Sequence, residues 1–170
     1  MATTYEVGQY IPSLREPQHK TYLGNTSVYT GYLNQATMVG AATGTTGDTV
    51  LIPLITLPHG SLIAKWEIKF TAFGTSAVGQ LGFRYVNLPS AVANVRYGHS
   101  ELGFPTENDD EFHANLDISA AGTDSDILYT PFLCQADVQI VLKVSGQTGA
   151  IVPADAEIAL IMTGRAKGAL

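Results

Sequence analysis

The sequence predicts an all-β protein, a β-sandwich of jelly-roll-like type with an extended N-terminal arm. Apolar and polar residues alternate in several short segments, as they do in strands that have one buried face and one wet face. Clusters of Gly, Pro, Asp and Ser separate these segments, and no long stretch has the 3.6-residue period of an amphipathic helix. Several short strands at close spacing are typical of two packed sheets.

The strands follow one another from residue 49 onward. Leu51–Ile55 is apolar but contains Pro53, which cannot donate a ladder hydrogen bond, so we expect this strand at a sheet edge or a bulge. In Leu62–Phe70 every second residue is apolar, Trp66 among them, and the charged residues take the other face. The same two-residue period recurs in residues 81–85, 138–144 and 158–162.

Two residues that occur once in the chain are expected in the core. Trp66 lies in the apolar register of its strand, which favours core packing over a platform for stacking a sugar. Cys134 follows the apolar stretch 131–133, and a single cysteine excludes both an internal disulfide and a cysteine-based zinc site. We therefore expect Cys134 to be a buried thiol.

The chain divides into an N-terminal arm, residues 1–48, and a β-sandwich domain, residues 49–170. The arm has no clear period and holds five of the eight tyrosines. Tyrosine buries well at protein contacts and keeps a hydroxyl for hydrogen bonding, so we interpret the segment as an arm that orders against a partner. The alternative is that it wraps its own core. The predicted contact residues are Tyr5, Tyr10, Tyr22, Tyr29 and Tyr32.

The charge composition favours a subunit that packs against neighbours. Only 14% of the residues are charged, against about 25% in an average soluble domain. The net charge is −6 and the nine Lys and Arg are scattered, which argues against direct nucleic-acid binding. The sequence has neither an apolar run that could span a bilayer nor a secretory leader pattern, so we expect no membrane contact and synthesis in the cytoplasm.

No sequence motif indicates catalysis or a cofactor. The four histidines lack zinc-ligand spacing, and the chain has no nucleophile elbow and no phosphate-binding loop. We therefore expect no enzyme, although a hydrolytic triad could be assembled from distant residues.

The densest charge lies between Glu101 and Asp126, a segment with eight acidic residues and no Lys or Arg. Oxygen ligands at this density could hold Ca²⁺, with Asp109, Asp110 and Glu111 as the candidate ligands. Because the segment does not match an EF-hand loop, a solvated acidic loop is the preferred interpretation.

One part of the sandwich resembles a known class of proteins. In Asp48–Ile63 a strand leads through the turn Leu57-Pro58-His59-Gly60 into an alternating strand, which resembles a module of small structural proteins of tailed phages. The closing strand Ala156–Met162 is similar to their C-terminal edge, and the likeness in arrangement covers about residues 48–165.

The resemblance implies a capsid decoration or cement protein on the exterior of a virion, or another minor capsid, head-to-tail or tail component. Its partners would then be the major capsid protein and copies of itself, since such decoration proteins commonly form trimers and bridge neighbouring capsomers. Because decoration proteins of this kind have no active site, the resemblance implies no catalytic residues in this chain. The alternative from a different class is a carbohydrate- or receptor-binding module that uses calcium at the acidic segment.

Overall fold

The computed structural model describes residues 4–6, 8–9, 26–34, 38–39, 49–86, 107–146, 152–153 and 155–165. All regular secondary structure in these ranges is β-strand, and none of them contains a helix long and apolar enough to cross a membrane. The strands are β1 (Thr4–Glu6), β2 (Gly8–Gln9), β3 (Thr26–Asn34), β4 (Met38–Val39), β5 (Thr49–Leu57), β6 (Leu62–Phe70), β7 (Val78–Tyr85), β8 (Glu107–Asp117), β9 (Gly122–Leu133), β10 (Val138–Ser145) and β11 (Glu157–Arg165).

The described residues form two large sheets, with strand orders β1-β5-β10-β7-β8 and β3-β11-β6-β9, and β2 pairs with β4 in a small ladder. Every described pair is antiparallel except β1 with β5, which is parallel. Apart from β1, each large sheet has four strands, and neighbours within a sheet are mostly distant in sequence because the chain repeatedly crosses from one sheet to the other. This is the double Greek key of a jelly roll, so the predicted fold class is confirmed.

The core lies between the two sheets and consists of the alternating apolar residues. In β10 every second side chain from Val138 to Val144 is fully buried, and in β11 the same holds from Ile158 to Met162. Trp66 of β6 is completely inaccessible to solvent. The strands predicted from the two-residue period are therefore present, and Trp66 is a core residue, as expected. At the start of β6 the alternation is wrong, because a register shift at Ala64 buries Ile63 in place of Leu62 and Ala64.

Pro53 lies at a β-bulge, which is one of the two positions, a sheet edge or a bulge, that the sequence predicts for it. Ile140 of β10 pairs with Ile55 of β5, but the next residue, Val141, pairs with Pro53 and leaves Leu54 as the extra residue. On the other side of the sandwich, an added Cβ at Gly31 of β3 would lie 2.7 Å from the carbonyl oxygen of Leu54. At this position the backbone of β3 lies directly against the backbone of β5. Any residue larger than glycine at position 31 would bring its Cβ too close to the Leu54 carbonyl oxygen.

The strand β3 belongs to the sandwich although it lies within the predicted arm of residues 1–48. It forms nine residue pairs with β11, and its Tyr29 and Leu33 are buried in the core. The Tyr29 hydroxyl is 3.0 Å from the Ser61 hydroxyl oxygen. The part of the segment from residue 26 to residue 34 therefore packs on the chain's own core, and Tyr29 is a core residue rather than a partner contact.

Cys134 is a buried free thiol, as the sequence predicts. Burial, with a smaller contribution from Asp137, raises the pKa of Cys134 to about 12. The thiolate is the nucleophilic form of cysteine. In the folded protein at neutral pH, Cys134 is therefore both inaccessible to reagents and protonated.

We expect the native chain to release no chromophore from a disulfide reagent such as Ellman's at pH 8, and one equivalent after unfolding in guanidinium. Since the folded pKa is above the unfolded one, the free energy of unfolding should also decline as pH rises above about 9. A Cys134→Ala variant should lose this component of the pH dependence. Rapid release of one equivalent from the native protein would contradict the buried position.

Candidate interaction surface

The three residues proposed as calcium ligands make different contacts, and two of them, Asp110 and Glu111, share the Asn108 side chain. Asp109 forms an ion pair with Lys143 at 2.7 Å, and Glu111 accepts a hydrogen bond from the Asn108 side chain at 2.9 Å. Asp110 is exposed, and its backbone N–H donates to the Asn108 side-chain oxygen at 3.3 Å. Within the described ranges no three His, Cys, Asp or Glu side chains are arranged to hold a metal ion.

The five predicted contact tyrosines have different positions. Tyr29 is in the core, whereas Tyr32 of the same strand is 59% exposed. Tyr5 lies in β1, but its side chain is outside the described part of the structure, and Tyr10 and Tyr22 lie outside the described residues altogether. Of the set, Tyr32 is the residue that the structure places on the surface.

The large hydrophobic side chains that are exposed in the described residues all belong to the sheet β3-β11-β6-β9. Single exposed apolar residues are ordinary, but their concentration on one sheet indicates a contact surface. Two lie toward the β3 edge and three lie on β9, the opposite edge. These residues are Tyr32, Ile161, Ile127, Tyr129 and Leu133.

Apart from Tyr32, these exposed residues were not predicted from the sequence. One signal was available, because Ile127, Leu128 and Tyr129 are consecutive in a segment that forms a strand. Successive side chains of a strand point to opposite faces, so consecutive apolar residues must send at least one to the solvent side.

The side of this sheet that faces away from the core, called here the outer face, combines apolar residues with charged residues of both signs. Tyr32, Ala159 and Lys69 are neighbours in one row across three strands. Ile161 lies in the next row beside Glu67, and Glu67 pairs with Lys65 at 3.6 Å. The outward charged side chains of β6 and β11 are Lys65, Lys69, Arg165, Glu67 and Glu157.

The strand β9 bulges away from its neighbour in the middle of its length. Ile63 of β6 pairs with Phe132, and Lys65 pairs with Ile127, so that four residues of β9 face the single residue Ala64. Within this bulge Leu128 packs against the core, whereas the Tyr129 side chain is fully exposed, at 103%. The bulge also contains a proline, and both features prevent a further strand from pairing along this edge. The exposed Tyr129 side chain of the β9 bulge is therefore available for packing against a partner, whereas the edge itself does not extend the sheet.

A second bulge lies beside the first on the other sheet. In β8, Asn108 pairs with Phe83 and His113 pairs with Leu81, which leaves residues 109–112 opposite Gly82 alone. Phe112 of the β8 bulge contacts Phe132, which follows the β9 bulge directly, with ring centroids 5.2 Å apart. The strands β8 and β9 contain seven Asp and Glu residues and no Lys or Arg. This side of the sandwich, β8 with β9, is called here the acidic edge.

His113 connects the two sheets at the acidic edge. Its Nε2 lies 3.2 Å from the Asp124 carboxylate of β9, while its Nδ1 accepts the Asn115 backbone N–H at 3.1 Å. The imidazole ring also contacts Trp66 edge to face, with ring centroids 5.9 Å apart. These contacts fix β8 against β9, so the acidic edge is a defined surface of the folded domain.

No protein-family model matches the chain, and no curated protein matches it with significance. A chain in the structure of the capsid of Ralstonia phage GP4 has a TM-score of 0.57 and 14% sequence identity to this chain, over 96% of this chain and 98% of that one. A chain of the cyanophage Pam1 capsid asymmetric unit has a TM-score of 0.41 and 16% identity, over 92% of this chain and 99% of that one. The comparison with the Ralstonia phage chain shows a shared fold along nearly the whole length of both.

Proposed function

We propose that this protein is a non-enzymatic structural component of a phage virion, which binds the outside of the capsid and stabilises it by bridging neighbouring subunits. The observation that supports this most directly is the jelly roll, whose extent from end to end matches a chain of a phage capsid structure. The likeness is one of fold, so the assignment to the capsid exterior is our inference. It agrees with the low charged fraction of the sequence and with the exposed apolar residues of one sheet.

The mechanism is physical rather than chemical. A protein that binds the assembled shell, and not its dissociated subunits, shifts the equilibrium toward the shell by mass action. The partner is the major capsid protein, and the proposed contacts are Tyr32 on the outer face together with Tyr5, Tyr10 and Tyr22 of the segment that precedes β3. No feature of the described residues favours the carbohydrate- or receptor-binding alternative, because no three His, Cys, Asp or Glu side chains among them are arranged to hold a metal ion.

Co-sedimentation with purified shells of the source phage tests the proposal. We expect the full chain to pellet with shells at a saturable stoichiometry and to raise the temperature at which the shells dissociate. A chain in which Tyr5, Tyr10 and Tyr22 are replaced by alanine should bind at least tenfold more weakly, since truncation of a single hot-spot tyrosine at an interface costs about 2 kcal/mol or more.

The matched control replaces Gln9, Gln18 and Asn25, three polar residues of the same segment, by alanine and should bind as the wild type does. A full chain that stays in the supernatant at every shell concentration would refute the capsid proposal. Equal binding by the tyrosine variant and the control would refute the contact role of the three tyrosines.

A further inference from the structure

His113 lies on the side of β8 that points toward the space between the two sheets. It pairs with Leu81 of β7, which is buried in the core, and directly paired residues of neighbouring strands share one face. Asp124 of β9 has the same orientation in the other sheet, because it pairs with the buried Ile68. The imidazole of one edge strand and the carboxylate of the other thus meet between the sheets, at 3.2 Å.

The two ring nitrogens of His113 make different contacts. Nδ1 is 3.1 Å from the backbone nitrogen of Asn115, which can only donate, so Nδ1 accepts this hydrogen bond and carries no proton. The proton of the neutral ring is then on Nε2, the nitrogen that faces Asp124. A side chain that accepts the N–H of the second residue onward, as in an Asx turn, holds the intervening backbone. The neutral ring therefore fixes residues 113–115 of β8 and faces β9 at the same time.

We propose that His113 is a pH-dependent switch of the acidic edge, in which protonation of Nδ1 releases the Asn115 N–H and leaves the contact between Nε2 and Asp124 in place. The charged ring has two N–H donors and no acceptor, so Nδ1 and the Asn115 N–H become two donors that face each other and must separate. At Nε2 the added charge strengthens the attraction to the carboxylate. Histidine ordinarily changes its charge between pH 5 and 8. The edge therefore has both contacts at high pH and one at low pH.

The groups that the neighbouring strands place around the ring do not titrate in this range. Two carboxylates of β9 are on the core side, Asp124 and Asp126, the second because it pairs with Trp66. Carboxylates ordinarily titrate below pH 5. The side chains of β6 and β7 beside the ring are Trp66, in edge-to-face contact with it, and Leu81. The charged residues of these two strands are Lys65, Glu67 and Lys69 on the outer face and Arg84, which donates to Gln139.

The carboxylates of β8 itself are engaged with their own neighbours. Glu111 accepts a hydrogen bond from the Asn108 side chain. Asp117 accepts the backbone N–H and the hydroxyl of Ser119, and these two hydrogen bonds lower the pKa of the Asp117 carboxyl. Among the described residues at this edge, His113 is therefore the group whose charge changes between pH 5 and 8.

Nuclear magnetic resonance on the purified full chain, without shells, tests the switch. Nitrogen-15 spectra recorded from pH 5 to 8 follow the ring nitrogens of His113 and the amide of Asn115 in one sample. We expect both to change with a common midpoint. The protection of the Asn115 amide against hydrogen exchange should fall about fivefold toward low pH, which corresponds to the loss of one ordinary hydrogen bond. The Ser119 amide, which donates to Asp117, is the internal control and should keep its protection.

Two substitutions reproduce the two forms of the switch. His113→Asn keeps an acceptor oxygen near the position of Nδ1 that gains no proton, so the Asn115 amide should remain protected at pH 5. His113→Gln places its amide near the position of Nε2 and leaves the position of Nδ1 empty, so the Asn115 amide should be about fivefold less protected at every pH. The dispersion of the amide signals shows whether each variant is folded.

An Asn115 amide that keeps its signal position and its protection while His113 titrates in the wild-type protein would overturn the inference. The wild-type titration decides this without any variant. An undiminished pH response of Asn115 in a folded His113→Asn protein would also overturn it. The switch belongs to the isolated chain, so its failure would leave the proposed capsid binding untouched, and a failure to bind shells would leave the switch untouched.

Discussion

Replacement of Trp66 by alanine is expected to lower the free energy of unfolding by about 3–5 kcal/mol, which is the usual cost of removing a fully buried aromatic side chain. Trp66 has no solvent exposure and pairs with Met162 on one side and Asp126 on the other, so it lies in a central strand of its sheet. Its loss also removes the ring that His113 contacts across the sandwich. A loss of this size is a large share of the 5–15 kcal/mol of a typical domain.

Urea denaturation followed by circular dichroism measures this effect, and two variants serve as controls. Tyr129→Ala also removes an aromatic ring, but from a fully exposed position, and should change the free energy of unfolding by no more than about 0.5 kcal/mol. Trp66→Phe should cost less than Trp66→Ala. It keeps a ring in the cavity, and the indole Nε1 that it removes has no hydrogen-bond partner in the described structure. A Trp66→Ala variant that loses less than about 1 kcal/mol would contradict the central core position of this residue.

Truncation of the N-terminus is expected to have an abrupt threshold between residues 25 and 34. A chain that begins at residue 26 keeps β3 and should unfold cooperatively, with a modest loss because β1 contributes three residue pairs. A chain that begins at residue 35 lacks β3 and should lose cooperative unfolding. Burial of Tyr29 and Leu33 is worth about 1.5–3 kcal/mol for each side chain, and the hydrogen bond from Tyr29 to Ser61 adds about 1 kcal/mol.

Thermal unfolding monitored by near-ultraviolet circular dichroism distinguishes the two truncated chains, and binding of a hydrophobic dye reports the exposed inner face. The double variant Tyr29→Ala with Leu33→Ala in the full chain should resemble the longer truncation. The matched variant Thr30→Ala with Tyr32→Ala changes outward-facing residues of the same strand and should stay folded. Cooperative melting of the chain that begins at residue 35 would show that the sandwich does not need β3.

The strands whose inner residues are all apolar could be predicted from the sequence, and β6, β10 and β11 are the examples. The strand β3 could not, because Ser27 and Gly31 occupy inner positions and interrupt the period. The serine is buried, and the glycine is required where the sheets approach through Leu54. Local alternation carries no information about such contacts, which depend on strands that are distant in sequence.

The candidate interaction surface was harder to predict from the sequence than the fold was. The prediction from tyrosine content included Tyr32, which lies on the outer face, but it also included Tyr29, whose strand position turns it into the core. Tyr129 is exposed in a bulge, and Ile127 is exposed because it pairs with the outward residue Lys65; both facts depend on how β9 pairs with β6. The acidic residues were conspicuous in the sequence, but only the pairing of strands shows that they share an edge with apolar side chains.

The pairing of β3 with β11 has a consequence for the order in which the protein can be made. Asn34 pairs with Glu157 and Thr26 with Arg165, so one of the first strands to be synthesised acquires its neighbour only when the last strand has left the ribosome. Contacts this distant in sequence also make folding slow compared with that of helical domains. A chain that terminates before β11 has neither a partner for β3 nor the residue Ile161 between β3 and β6. The outer face therefore exists only on chains that contain β11, and products that terminate before residue 157 lack it.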